Sequence, residues 1–323
     1  MRDFQTFSQF KKLYALSDNW VLNLISTTIN KYNYLTVRKL PPFFDYKYRI
    51  RYVKQEHVSS ADQIEHPVVR ESIKLLKLRE GLEIAHSSDL PARSGLGSSS
   101  SFTVGLLHSL HTLHSYMPTR RELALQAMHV EQELIGEAVG SQDQTAASFG
   151  GLNRIRFSKA REIDVDPIIV SADRLDALED RLLLCFTGFA RTASEIAARQ
   201  IEATPSRQRE IQAIQEMCEQ AFELLTSPQN SLDEFGKLLN DQWRIKRSLT
   251  NLVSNERIDE IYDTGLRSGA LGGKLLGAGG GGFLLFYAPP DRHEAIKNAL
   301  GDKMFVPFRF ESTGSKIVYY SHV

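Results

Sequence analysis

Residues 91–101 read Pro-Ala-Arg-Ser-Gly-Leu-Gly-Ser-Ser-Ser-Ser. An apolar alternating run, Leu82 to Ala85, precedes them, and a run with helical apolar spacing, Phe102 to Leu113, follows. Glycines at 95 and 97 let the backbone curl closely around an anion with its N–H groups turned inward. The serines then fall at a helix N-terminus, where unpaired N–H groups and the macrodipole favour phosphate. The stretch reads as a phosphate cradle between a strand and a helix. Alone, it reads equally well as a serine-rich N-cap after a tight turn, so the rest of the chain must decide.

At 323 residues the chain can fill one large domain or two moderate ones, and two are expected. Lys and Arg total 39, as do Asp and Glu, so no global field recruits nucleic acid or an anionic membrane. Any anion must be captured locally. Cys185 and Cys218 lack metal spacing or a disulfide framework and are expected as unpaired thiols. No run reaches the length of a membrane span, and the opening MRDFQTFSQFKK lacks the apolar core of a signal peptide. A cytoplasmic protein is the expectation.

Along the chain, Phe4 to Leu16 carries Phe4, Phe7, Phe10 and Leu13 at threes, which predicts a short amphipathic helix. Val21 to Ile29, Tyr32 to Val37 and Tyr48 to Val53 are rich in β-branched and aromatic residues; they are expected as neighbouring strands, with a hairpin-like loop through Pro41-Pro42. Helices are predicted over His66 to Lys77 and Thr119 to Ile135, with an irregular glycine-rich loop over Gly136 to Gly151. Leu152 to Phe157, Ile163 to Val170 and the run RLLLCFTG from Arg181 read as strands. Ala193 to Gln200, Arg207 to Leu225, Leu232 to Ser248 and Asn255 to Ser268 read as helices.

A second glycine cluster, Gly277 to Gly282, precedes FLLFY. Gly277, Gly279 and Gly282 satisfy GxGxxG, but a dinucleotide site needs a strand before and a helix after, and Phe283 to Tyr287 is β-like. A protein-kinase loop needs HRD and DFG elements, which are absent. A Walker loop needs Ser or Thr after its lysine, and Leu275 follows Lys274. What remains is backbone made to approach a ligand or another loop closely, or a crowded strand turn.

Three segments together, PARSGLGSSSS, HVEQELIGEAVGSQDQ and KLLGAGGGGF, resemble the GHMP small-molecule kinases. The first fits that family's phosphate-loop pattern P-x-x-x-G-L-G-S-S and the last its C-terminal glycine motif. The runs VLNLISTTINKYNYLTV, SQDQTAASFGGLN and FTGFAR are similar to the branch acting on heptose 7-phosphate. The resemblance implies an α/β (α+β) GHMP kinase fold: an N-terminal ribosomal S5-like domain over residues 1–165 and a C-terminal ferredoxin-like domain over 166–323. It implies ATP and Mg²⁺ as cofactors and a sugar phosphate as substrate, and it leaves homo-oligomer formation open.

Roles follow by position in the motifs. The phosphate loop implies that Pro91, Ser94, Gly95, Leu96, Gly97, Ser98, Ser99 and Ser100 hold ATP. Ser99 matches the family's magnesium hydroxyl and Glu131 its magnesium carboxylate; without the family, Glu131 reads as an exposed helix charge. Asp143 matches the acid that accepts the substrate hydroxyl proton, a role chemically sufficient where positioning and charge neutralisation dominate. Gln144, Arg191, Asp3 and the glycines Gly279, Gly280 and Gly281 are expected at the substrate, Arg191 because a planar guanidinium suits phosphate. Lys246 and Arg247 are further phosphate candidates against a solvated helix face. His108 and His129 read as helix residues, and Tyr32 and Tyr34 as strand packing. The family's opening motif, R-x-x-x-x-G-G-G-T-D, is absent, Asp3-Phe4 resembling its tail. This leaves two alternatives: a start codon upstream, or a truncated relative that binds nucleotide or sugar without turnover.

Overall fold

The structure, a computed structural model, describes residues 21–92, 94–158, 162–189, 196–197 and 207–321. The helix expected over Phe4 to Leu16, Asp3, Arg191 and most of the Ala193 to Gln200 run lie outside them.

In chain order, β1 (Val21–Ser26), β2 (Thr28–Ile29), β3 (Asn33–Lys39), β4 (Tyr48–Arg51) and β5 (Gln55–Val58) come first. Helix α1 (Pro67–Leu75) and strand β6 (Leu82–Ser88) lead to α2 (Ser98–Leu113), α3 (Arg120–Met128) and α4 (Gln142–Phe149). Strands β7 (Asn153–Ser158) and β8 (Ile163–Pro167), helix α5 (Ala172–Glu179) and strand β9 (Leu182–Phe186) follow. The remainder is α6 (Gln208–Thr226), α7 (Leu232–Leu249), α8 (Glu256–Arg267), β10 (Gly272–Leu275), β11 (Phe283–Tyr287), α9 (His293–Leu300), β12 (Phe305–Val306) and β13 (Phe310–Glu311). By contact the chain falls into two units that interleave in sequence: one takes 28–92, 97–151 and 311–323, the other 1–27, 93–96 and 152–310. The sequence reading draws a single boundary after residue 165.

The first unit is a mixed sheet in the order β3-β6-β4-β5. Its inner face presents Tyr48, Ile50, Leu82 and Ile84, because alternate residues of a strand share a face. Val68, Val69 and Ile73 of α1, Leu106, Leu107 and Leu110 of α2, and Leu123 and Ala127 of α3 cover it. Each such leucine contributes about 1.5–3 kcal/mol by leaving water. On the outer face Arg38, Arg49 and Arg51 converge on Glu83, which is why a carboxylate is tolerated there at 3% exposure. The expected hairpin between Tyr32–Val37 and Tyr48–Val53 does not form. Strand β6 lies between them, antiparallel to β3 and parallel to β4, and β4 makes its hairpin with β5 instead. The sequence Gln55-Glu56-His57-Val58 carries no β-branched pattern to announce that partner.

In the second unit β7 lies between β1 and β8, and β11 lies between β10 and β9, all antiparallel. Trp243, Ile258, Tyr262, Phe286 and Ile296 form its main core. Helix α5 went unread in the sequence, although Ser171 caps it by accepting from the Arg174 N–H. Both cysteines are free and buried. Among the described residues no helix is long and apolar enough to cross a membrane.

Candidate active site

Gly97 caps the start of helix α2, and its φ of 69° and ψ of 19° place it in the left-handed region. Glycine adopts this turn without a Cβ penalty, and the first N–H groups of the helix, which the serine run carries, have no partner within it. Beneath that first turn lies Glu131, 1% exposed. Its Oε2 accepts from Ser100 Oγ at 2.9 Å and from Gln144 Nε2, and its Oε1 accepts from Thr103 Oγ1 at 2.5 Å. Ser100 and Thr103 are three apart and so share a face of α2.

Glu131 arrives there because the end of α3 widens into a π-helical turn, His129–Leu134. One extra residue in a helical turn re-aims the side chains within it, a device common at functional sites. The opposite end of α3 is fixed by a capping box between Thr119 and Glu122. Burial pushes the Glu131 carboxyl above its usual value, and the hydrogen bonds from Thr103, Gln144 and Ser100 oppose that. Among the described residues it has no ion-pair partner.

Asp143 stands in the first turn of α4, where the helix dipole favours a carboxylate. A Cβ placed on Gly97 would lie 3.3 Å from Asp143 Cγ and 3.6 Å from its Oδ2, so the carboxyl group rests against the turn that opens α2. The irregular loop expected over Gly136 to Gly151 is therefore in part a helix. Gln144, expected at the substrate, is instead fully buried and turned inward to Glu131. Ser99, the expected magnesium hydroxyl, is exposed; Ser100 is the serine that meets Glu131. Thr103 escaped the sequence reading, though its spacing from Ser100 was a usable signal.

In the other unit, residues 94–96 meet the glycine cluster backbone to backbone. A Cβ on Gly277 would lie 2.6 Å from Gly95 Cα, and one on Gly282 would lie 2.3 Å from Ser94 O. The Gly280 N–H donates to Val253 O at 3.0 Å, and the Gly282 N–H to Phe189 O at 2.8 Å. Of the two readings left open for this cluster, close approach to other loops is what Gly279, Gly280 and Gly281 visibly do, all three being buried. Lys246 Nζ donates to Gly277 O at 2.6 Å, and Arg247 pairs with Asp259. Ser94 is buried, its Oγ without a hydrogen-bond partner among the described residues. Pro91 is exposed, and Leu96 and Ser98 are half-buried. His108 contacts Ser315 and Met117, and His129 pairs with Glu133.

A magnesium ion fits the donor set in the first unit. Mg²⁺ takes oxygen ligands, binds through one or two carboxylates plus substrate phosphates, and keeps several waters. Glu131, Ser100 and Thr103 offer only oxygen, and a buried carboxylate lacking a cation gains from one. No cluster of three or more His, Cys, Asp or Glu with metal geometry occurs among the described residues, and a metal shared with nucleotide phosphates does not require one.

Residues 65–151 match the family model for the N-terminal domain of the GHMP kinases, and residues 211–306 match that for the C-terminal domain. The chain belongs to the GHMP kinases and is an ATP-dependent small-molecule kinase. Over 234 residues it is 31% identical to the D-glycero-alpha-D-manno-heptose 7-phosphate kinase of Campylobacter jejuni, an alignment covering 71% of this chain and 68% of that one. It is 26% identical over 280 residues to the mevalonate kinase of Pyrococcus abyssi, covering 82% and 78%. The fold is that of a D-glycero-D-manno-heptose 1-phosphate kinase from Bacteroides thetaiotaomicron, with TM-score 0.69, 24% identity, and 95% and 93% of the two chains covered. Lactococcus lactis galactokinase shares it as well, with TM-score 0.71, 17% identity, and 96% and 98% covered. The expected family and GHMP kinase fold are thus confirmed.

Proposed function

We propose that the chain transfers the γ-phosphoryl group of MgATP to the anomeric hydroxyl of a sugar phosphate, D-glycero-D-manno-heptose 7-phosphate, giving the 1,7-bisphosphate and ADP in the cytoplasm. The observation that carries the reaction type is the Asp143 carboxyl group resting against Gly97, beside the serine turn that heads α2. The 31% identical relative supports the choice of acceptor.

In this reading the N–H groups of the Ser98–Ser100 turn hold phosphate oxygens, as helix N-termini do. Asp143 orients the acceptor hydroxyl and takes its proton as the oxygen bonds to the γ-phosphorus and the bond to the β-phosphate oxygen breaks. Glu131, held by Ser100, Thr103 and Gln144, would ligate Mg²⁺, which when bound neutralises charge on the phosphates. Arg191 and Asp3 remain proposed substrate contacts.

The test is ADP release by the purified chain with MgATP and a panel of sugars and sugar phosphates. Strong release dependent on the heptose 7-phosphate is expected. Preference for another acceptor would overturn the substrate, and silence with every acceptor would overturn turnover itself.

A further inference from the structure

Helix α4 is eight residues long, and isolated helices below about 12–15 residues are marginal in water. It packs against α2 and α3 and sets the partly buried Ala147 on their core, while its fully buried residues, Gln144, Thr145 and Ser148, are polar. Its head is held by the bond from Gln144 to Glu131. Its tail is held by a segment far along the chain. The Ser315 N–H donates to Ala147 O at 2.8 Å, giving a partner to a carbonyl that the helix end would otherwise leave open. Backbone contact there is tight: a Cβ on Gly314 would lie 2.3 Å from Ser148 O, and one on Gly150 would lie 2.0 Å from Gly314 N.

The same segment also grips α2. Ser315 Oγ lies 3.0 Å from Nδ1 of His108, which is buried on α2 about 15 Å along the axis from Ser98. Upstream, Glu311 accepts from the Tyr32 hydroxyl at 2.5 Å and from both the N–H and the hydroxyl of Thr313, which fixes where the segment starts. The tail of α4 is therefore tied to the body of α2, at His108, by residues 313–315, while the heads of the two helices place Gly97 against Asp143.

We infer that residues 313–315 are a positioning strap: by joining the tail of α4 to α2 at His108, they set the placement of Asp143 at the head of α4. The inference rests on the reading of Asp143 as the group that meets the acceptor hydroxyl. Misplacing a reacting group by about 1 Å can cost roughly 100-fold in rate, and a short helix held by its packing against α2 and α3 without the bond at its tail can shift by that much.

The test uses the full chain and three variants, Ser315→Pro, Gly314→Val and Ser315→Ala, each confirmed folded by its melting transition. Proline removes the N–H that bonds Ala147 O, valine blocks the approach to Ser148, and alanine keeps the N–H. Ser315→Pro and Gly314→Val should lower kcat roughly 10- to 100-fold with KM for ATP little changed. They should also speed hydrogen exchange in peptides spanning residues 142–150; Ser315→Ala, which keeps the N–H to Ala147 but loses the hydroxyl to His108, should leave that exchange near the parent's and lower kcat by less than the other two. Unchanged exchange in those peptides would overturn the strap. Faster exchange with unchanged kcat would leave only a structural clamp and overturn the positioning. A parent chain silent on every acceptor counts against the proposed reaction, while the exchange data still decide whether the segment holds the helix.

Discussion

Asp143→Asn keeps the shape of the side chain against Gly97 and removes its charge. Turnover should fall about 10²- to 10⁴-fold, the usual worth of a general base, while ATP binding measured by fluorescence or calorimetry persists. Near-parent turnover would remove Asp143 from the mechanism. The cage around Glu131 makes a second prediction that separates adjacent serines. Ser100→Ala leaves Glu131 one donor short and should cost ~1–3 kcal/mol in denaturant unfolding. Ser99→Ala trims an exposed hydroxyl and should stay within about 0.5 kcal/mol. A larger loss from Ser99→Ala would contradict the arrangement described. At this scale the sequence was partly legible: Glu131 and Asp143 came from motif position, but Thr103 and the inward turn of Gln144 did not. The Ser100–Thr103 spacing could have pointed to Thr103, whereas the burial of Gln144 and the direction of its hydrogen bond are properties of packing that no spacing encodes.

Among the elements, the glycine turns bear the sharpest constraints. Gly277→Ala would put a Cβ 2.6 Å from Gly95 Cα, and backbone on both sides leaves no flexible side chain to yield. A loss of about 1–3 kcal/mol, the usual range for overpacking, should appear as a lower unfolding midpoint; an unshifted midpoint would refute the contact. Elements with long periodic patterns, such as α2, α6 and α7, were readable because their apolar spacing persists over many turns. Helix α4 was not, since eight residues flanked by Gly140 and Gly150 look like a loop when the partners that stabilise it lie far away. The strand order failed for the same reason. Nothing local to β3 or β4 shows that β6 will come between them.

Across the whole molecule, acid should loosen the anchor of the strap. Hydrogen bonds from Tyr32 and then Thr313 hold the Glu311 carboxyl well below its usual 4.5, at about 2. A depressed folded value means the stabilisation is fully present above about 4.5 and is lost as pH falls toward 2. With screening at this partly exposed site it is worth on the order of 1–2 kcal/mol. Urea midpoints measured from pH 6 down to pH 2.5 should therefore fall more steeply for the parent than for Glu311→Gln, and parallel slopes would refute this. The cysteines test integrity in a different way. Burial pushes Cys185 up to about 12 and Cys218 up to about 11, so neither should react quickly with a thiol reagent at pH 8 until the chain unfolds. Fast labelling of the native protein would show that the second unit, which holds both, opens.

The strap also imposes an order in time. Helix α4 leaves the ribosome well before Ser315 is made, and at 5–20 residues per second the gap between them is roughly ten to thirty seconds. Throughout that interval the helix carrying Asp143 has α2, α3 and Glu131 to pack against but lacks the strap's bond to Ala147 O at its tail. A nascent chain can thus acquire the serine turn and the buried carboxylate early, and become competent as a catalyst only once residues 313–315 have emerged as well.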